Sequence, residues 1–84
     1  MESLGNYLKR ERELREITLS EIAKETRVRQ DLLEAIEEEE FDSLPAPAFV
    51  KGFLRAYSKY VGLDSNDVIL RYEDLLERRE EGKT

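Results

Sequence analysis

Residues 18–41, TLSEIAKETRVRQDLLEAIEEEEF, leave the chain few choices. Thr18-Leu19-Ser20-Glu21 is a capping box. The Thr18 hydroxyl can accept from a free amide of the first turn, and Glu21 can reach back to the Thr18 amide. Leu19, Ile22 and Ala23 then share one helical face. Val28 falls in a turn, and Leu32, Leu33 and Ile36 continue the face on a second helix. The spacing predicts helices from about Leu19 to Thr26 and from about Gln30 to Glu38. Two such short helices cannot bury their apolar faces alone, so they need supporting helices around them. The pair has the form of a helix-turn-helix.

In a DNA-binding helix-turn-helix the second helix enters the major groove, and Arg29 and Gln30 occupy the positions that would read bases. Lys9, Arg10, Lys24 and Arg27 could add phosphate contacts. The same helix and its exit, however, carry Asp31, Glu34, Glu37, Glu38, Glu39, Glu40 and Asp42. Phosphates repel such a surface, and phosphate contact supplies much of the affinity for DNA. The net charge of −6 points the same way. The acidic run reads as a solvated face. It lacks the alternating ligands and central glycine of a calcium loop, and no metal or cofactor is expected.

The rest of the chain supplies the support. Leu4 to Leu14 reads as a first helix with Leu4, Tyr7, Leu8 and Leu14 on a ragged apolar face. Its charges, Arg12 among them, are expected on a solvated face laced with intrahelical pairs. Ile17 leads into the capping box as a hydrophobic staple. After the paired helices, Pro45 and Pro47 impose a stiff, extended connection, and Phe41 and Leu44 are the apolar pegs that would hold it down. Pro47 suits the first position of a helix running to Val61, with Gly62 as a left-handed cap. Asp64 is placed to cap a last helix whose buried face is Val68, Ile69, Tyr72, Leu75 and Leu76. Apolar content ends there. The expected organisation is therefore a domain over 1–76, with 77–84 as a frayed polar tail or the start of a linker. The predicted fold class is all-α: a compact five-helix domain containing a helix-turn-helix, phage-repressor-like.

An enzyme is not expected. The chain has no histidine and no cysteine, which removes the commonest general base and the strongest nucleophile. At 84 residues it can bury roughly 60–65% of its unfolded surface, enough for one small core. The absence of cysteine suits a reducing cytoplasm.

The helix after Pro47 is the strongest candidate for function. Phe49, Val50, Phe53, Leu54, Tyr57, Tyr60 and Val61 cover more of its circumference than burial in a small bundle needs. No acid lies between Ser43 and Leu63, and Lys51, Arg55 and Lys59 recur every four residues. Two readings of Phe49 and Phe53 stand side by side: both belong to the core, or they are an exposed aromatic pair that anchors a protein partner, with Lys51 and Arg55 beside it. The basic stripe could equally be a solvated face, or meet an acidic protein surface or anionic lipid headgroups.

Particular motifs resemble a family. They are Leu4-Gly5-x-x-Leu8 with Arg10 and Arg12, Thr18-Leu19-Ser20-Glu21-Ile22-Ala23, Leu33-x-x-Ile36-Glu37, Phe41-Asp42-x-Leu44-Pro45-Ala46, and Phe49-Val50-x-Gly52-Phe53-Leu54-Arg55-x-Tyr57. From Leu4 to Leu76 the chain resembles the cytoplasmic N-terminal domain of RodZ-type bacterial cell-shape proteins. The first half alone resembles the broader Xre regulators. The resemblance implies a noncatalytic adaptor that binds the actin homologue MreB and ties its filament to the membrane-bound wall-elongation machinery. It places the contact on the aromatic pair after the proline turn, here Phe49 and Phe53, where phenylalanine stands in for a tyrosine often seen. It implies a cytoplasmic domain held at the inner face of the membrane through a downstream span absent from this chain. Glu16 and the Thr26–Arg27 turn carry no glycine where Xre-like proteins often have one. The alternative it leaves is a DNA-binding regulator of the Xre type acting through Arg29 and Gln30.

Overall fold

The computed structural model describes residues 2–81. Its helices are α1 (Leu4–Leu14), α2 (Leu19–Thr26), α3 (Gln30–Glu38), α4 (Pro47–Val61) and α5 (Ser65–Glu81), with a single 3₁₀ turn at Phe41–Ser43. The protein is all-α, and α2 and α3 form the helix-turn-helix. α1 packs on α3 and α5, while α4 packs on α2 and α5.

Local chemistry sets these boundaries. The capping box forms in full: the Glu21 amide donates to Thr18 Oγ1 at 3.1 Å, and the Thr18 amide donates to Glu21 Oε1 at 3.3 Å. Ser3 caps α1 by accepting from the Asn6 amide. Asp64 accepts from the amides of Asn66 and Asp67 at the start of α5. Pro47 opens α4, and Gly62 closes it with φ +96°, a conformation glycine adopts without strain. Glu16, Arg27 and Glu39 also take positive φ, at 55°, 63° and 56°. The turns therefore keep their left-handed geometry without glycine, at a cost of about 1 kcal/mol each.

Leu8, Ile22, Leu33, Val50, Leu54, Tyr57 and Val68 are fully enclosed, and Leu4, Val28, Ile36, Val61 and Tyr72 complete the core. Phe41 and Leu44 do hold the proline connection on this core. The Phe41 ring centroid lies 6.4 Å from that of Tyr72, and the Arg79 guanidinium carbon sits 4.7 Å from the Phe41 centroid. That cation–π contact comes from a part of α5 beyond the last apolar residue. The helix continues through Glu81, where the sequence predicts fraying from Glu77. Residues 82–84 of the expected tail lie outside the described residues.

Three sequence expectations are corrected. Leu14 is 68% exposed, because α1 buries Leu4, Leu8 and Arg12 at a spacing of four, and Leu14 points about 200° away from Arg12. Arg12 is not on the solvated face. Glu37 is not part of the solvated acidic run: it lies four residues beyond Leu33, in phase with the buried face of α3. Arg12 and Glu37 meet inside the protein as a two-pronged ion pair, Nε to Oε2 at 2.8 Å and Nη2 to Oε1 at 2.9 Å. Their side chains are 10% and 3% exposed. Arg12 Nη1 also donates to the Ile17 carbonyl at 2.9 Å. Lys9, Arg10, Glu13 and Arg15 are exposed as expected, whereas Glu11 is half-buried and pairs with Arg15 along the helix.

Tyr57 of α4 completes the network. Its hydroxyl lies 2.6 Å from Glu37 Oε2 and 3.0 Å from the Leu8 carbonyl. Both are acceptors and the phenol has one proton, so the nearer, charged oxygen takes the stronger bond. Burial, reinforced by the Glu37 carboxylate, pushes the Tyr57 pKa above the ordinary 10.0. A phenol raised on folding contributes stability in full below its unfolded pKa, and that contribution is lost as pH rises toward the folded value. Stability is therefore expected to fall above about pH 10, with a shallower alkaline slope in Tyr57→Phe. Urea titrations at pH 8 to 11 check this.

A candidate docking face on α4

α4 divides cleanly. Val50, Leu54, Tyr57 and Val61 point inward and pin the helix against α2 and α5. The opposite side has no covering element among the described residues. Phe49 stands at its N-terminal end, 63% exposed. Pro45, Ala46, Pro47 and Ala48 lead into it, all exposed. Phe53 is half-buried and packs against the core cluster. The two aromatics therefore have different situations: Phe49 is free to meet a partner, whereas Phe53 presents one edge and supports the fold with the other. Tyr60, 38% exposed, continues the aromatic side toward α2.

The basic edge is equally divided. Lys51 Nζ is engaged by Glu73 Oε2 of α5 at 2.8 Å, so it is partly neutralised. Arg55 and Lys59 are exposed, and among the described residues neither has a carboxylate within ion-pair distance. Unpaired charge on this face is thus carried by Arg55 and Lys59. The structure adds a residue that the sequence reading quoted without using: Gly52 is exposed in the middle of this face. Its signal was available, since a glycine inside an apolar-periodic helix costs about 1 kcal/mol against alanine.

The helix-turn-helix face is arranged differently. Arg29 Nη2 is bound to Asp31 Oδ2 at 2.7 Å, and Gln30 Nε2 donates to Glu34 Oε1 at 3.3 Å. Both base-reading candidates are therefore occupied by acids of their own helix. Glu34 and Glu38 are exposed beside them. Arg10, a candidate phosphate contact, is paired with Glu2 and Glu11. Lys9, Lys24 and Arg27 are exposed, on α1, on α2 and in the turn after α2 respectively. A surface depression of about 550 Å³ between Glu2 and Leu14 is an open trough along α1; Lys9 and Arg10 line it, and no residue of α4 does.

Among the described residues no helix is long and apolar enough to cross a membrane, and no group of three acidic side chains is placed to hold a metal ion.

A family model described as a helix-turn-helix domain matches residues 7–68. The cytoskeleton protein RodZ of Streptococcus pneumoniae is 35% identical over 71 residues, which is 84% of this chain and 26% of that protein. An uncharacterized protein of Haemophilus influenzae is 39% identical over 62 residues, 73% of this chain and 20% of the relative. The chain thus spans only a fifth to about a quarter of the length of these curated relatives. Among solved structures, YmfM of Staphylococcus aureus, a membrane protein proposed to bind DNA, superposes with a TM-score of 0.78 at 34% identity. The match covers 87% of this chain and 89% of that one.

Proposed function

The chain belongs to the RodZ-type helix-turn-helix family, and from that premise we propose that it is a noncatalytic adaptor domain that binds filaments of the bacterial actin MreB. In the full-length protein it would sit in the cytoplasm at the inner face of the membrane. It would link the filament to the wall-elongation machinery through a downstream span. Residues 1–76 are the binding domain in this reading, and 77–84 lead into the linker.

The observation that carries the proposal is Phe49, a large aromatic left exposed on a helix face bordered by the unpaired Arg55. A desolvated aromatic anchor supplies most of the binding energy in such contacts, and rim charges set orientation and encounter rate. Phe49 is the anchor, Phe53 its half-buried support, Arg55 the rim charge. Lys51 contributes only after release from Glu73. Membrane anchoring would raise the effective concentration, so a weak individual contact suffices.

The test is co-sedimentation with polymerised MreB, comparing the native domain with Phe49→Ala and with Phe49→Ala/Phe53→Ala. Loss of pelleting by at least about tenfold in affinity is expected for Phe49→Ala, with an unchanged circular dichroism spectrum. The double variant loses some stability as well, because Phe53 packs on the core. Native-like pelleting by Phe49→Ala would sink the assignment.

Duplex DNA is the second reading, favoured by the likeness to YmfM, itself proposed to bind DNA. Arg29 and Gln30 would have to leave Asp31 and Glu34 to read bases. A steep loss of affinity with added salt, abolished in Arg29→Ala, would support this reading over the adaptor.

A further inference from the structure

Gly52 lies inside a 15-residue helix where the chain itself gives no reason for a glycine. Its backbone is on the ordinary side of φ, since the positive-φ glycine is Gly62. A Cβ added at Gly52 would meet nothing within 4 Å, whereas one at Gly5 would collide with the backbone of Glu37. Glycine inside a helix is less favourable than alanine because it gives up more chain entropy. The isolated domain would therefore be better served by alanine at this position.

The surroundings suggest what the missing side chain makes room for. Phe49, Gly52, Phe53 and Ala56, at i, i+3, i+4 and i+7, frame one hole of the helix surface, the kind that receives a single knob from a facing element. Phe49 is exposed, and Phe53 and Ala56 are half-buried. With glycine as its floor, the hole is deeper by one Cβ than any other residue allows. Arg55 and Lys59 border it, and no acid lies nearby in the sequence from Ser43 to Leu63.

We propose that Gly52 is the floor of the docking site. One bulky apolar side chain of the partner protein seats on Gly52 against Phe49, and partner carboxylates meet Arg55 and Lys59. This rests on the reading of α4 as the filament contact and adds the residue that sets the shape of that contact. The occupant is an acidic protein surface with a projecting apolar side chain, because the hole admits one side chain and the unpaired charge around it is positive.

Fold and binding are then expected to respond with opposite signs. Gly52→Ala raises the thermal midpoint by about 3–6 °C while weakening co-sedimentation with polymerised MreB about fivefold. Gly52→Leu keeps the native circular dichroism spectrum, since the space above it is open, and weakens binding by at least about tenfold. Phe49→Ala is run in parallel. If Phe49→Ala fails to pellet and Gly52→Leu pellets like the native domain, the Gly52 assignment is wrong and the α4 site stands. If Phe49→Ala also pellets like the native domain, the site itself is misplaced and the Gly52 assignment falls with it. A lowered midpoint in Gly52→Ala would likewise overturn the proposal, because the glycine would then serve the fold.

Discussion

Replacing Glu37 by alanine is expected to cost about 3–5 kcal/mol, the range for breaking a buried ion pair from one side. The Arg12 guanidinium, 10% exposed, would keep only the Ile17 carbonyl, and the Tyr57 hydroxyl only the Leu8 carbonyl. A charge stripped of its partner inside a protein loses hydration without compensation. Domains of this size hold on the order of 4–13 kcal/mol in total, so the variant would be close to unfolded at physiological temperature. In urea the midpoint should drop by about 2–4 M. Arg12→Met/Glu37→Leu is the informative companion. Removing both charges while retaining volume is expected to restore most of the loss, because replacing a buried pair with apolar groups is often neutral or favourable. If the double variant is as unstable as Glu37→Ala, the pair is worth more than its desolvation cost and the expectation fails.

Gly5→Ala should be nearly as severe, at about 2–4 kcal/mol. An added Cβ would lie 1.9 Å from the Glu37 carbonyl oxygen and 2.7 Å from its carbon. These are backbone atoms, so no rotamer change relieves the clash. α1 and α3 would have to separate by roughly 1 Å at their crossing, and close-packed interiors resist that. Separation also strains two interactions that join α1 to the end of α3: the Gly5 amide donating to Glu39 Oε2 at 3.0 Å, and the Arg12–Glu37 pair, made by the residue whose backbone the methyl would strike. The two substitutions should therefore couple. Gly5→Ala on a Glu37→Ala background is expected to cost measurably less than on the native protein, because part of what the methyl disrupts is already gone. Strict additivity in a double-mutant cycle would show that the methyl is accommodated without disturbing the ion pair.

The sequence by itself determined every element whose cause is local. Thr18 and Asp64 announce helix starts because their side chains bond amides only a few residues away. Pro45 and Pro47 forbid a helix between α3 and α4 and open the next one. The spacing of Leu33 and Ile36, or of Val50, Leu54 and Val61, assigns buried faces because a helix has one period. Gly62 marks its left-handed end. The left-handed turns at Glu16, Arg27 and Glu39 gave no such signal, since the strain is borne by residues that do not prefer that conformation and is held by the packing around them.

Tertiary structure alone decided what crosses between helices. Arg12, Glu37 and Tyr57 are far apart in sequence, and charge content alone places the first two on the surface. Their helical phase, four residues beyond Leu8 and Leu33, was the only hint. Burial became tolerable once each met the others. The same holds for the proposed site. Phe49 and Phe53 are equivalent in the sequence, four residues apart on one helix. The packing of α4 against α2 and α5 leaves one exposed and draws the other toward the core. Lys51 and Arg55 are equivalent too, until α5 brings Glu73 to Lys51 and nothing comparable to Arg55. Gly5 and Gly52 read alike as helical glycines. One is required by a neighbouring backbone, and the other faces open space, because helix packing sets which side of each helix meets another chain segment.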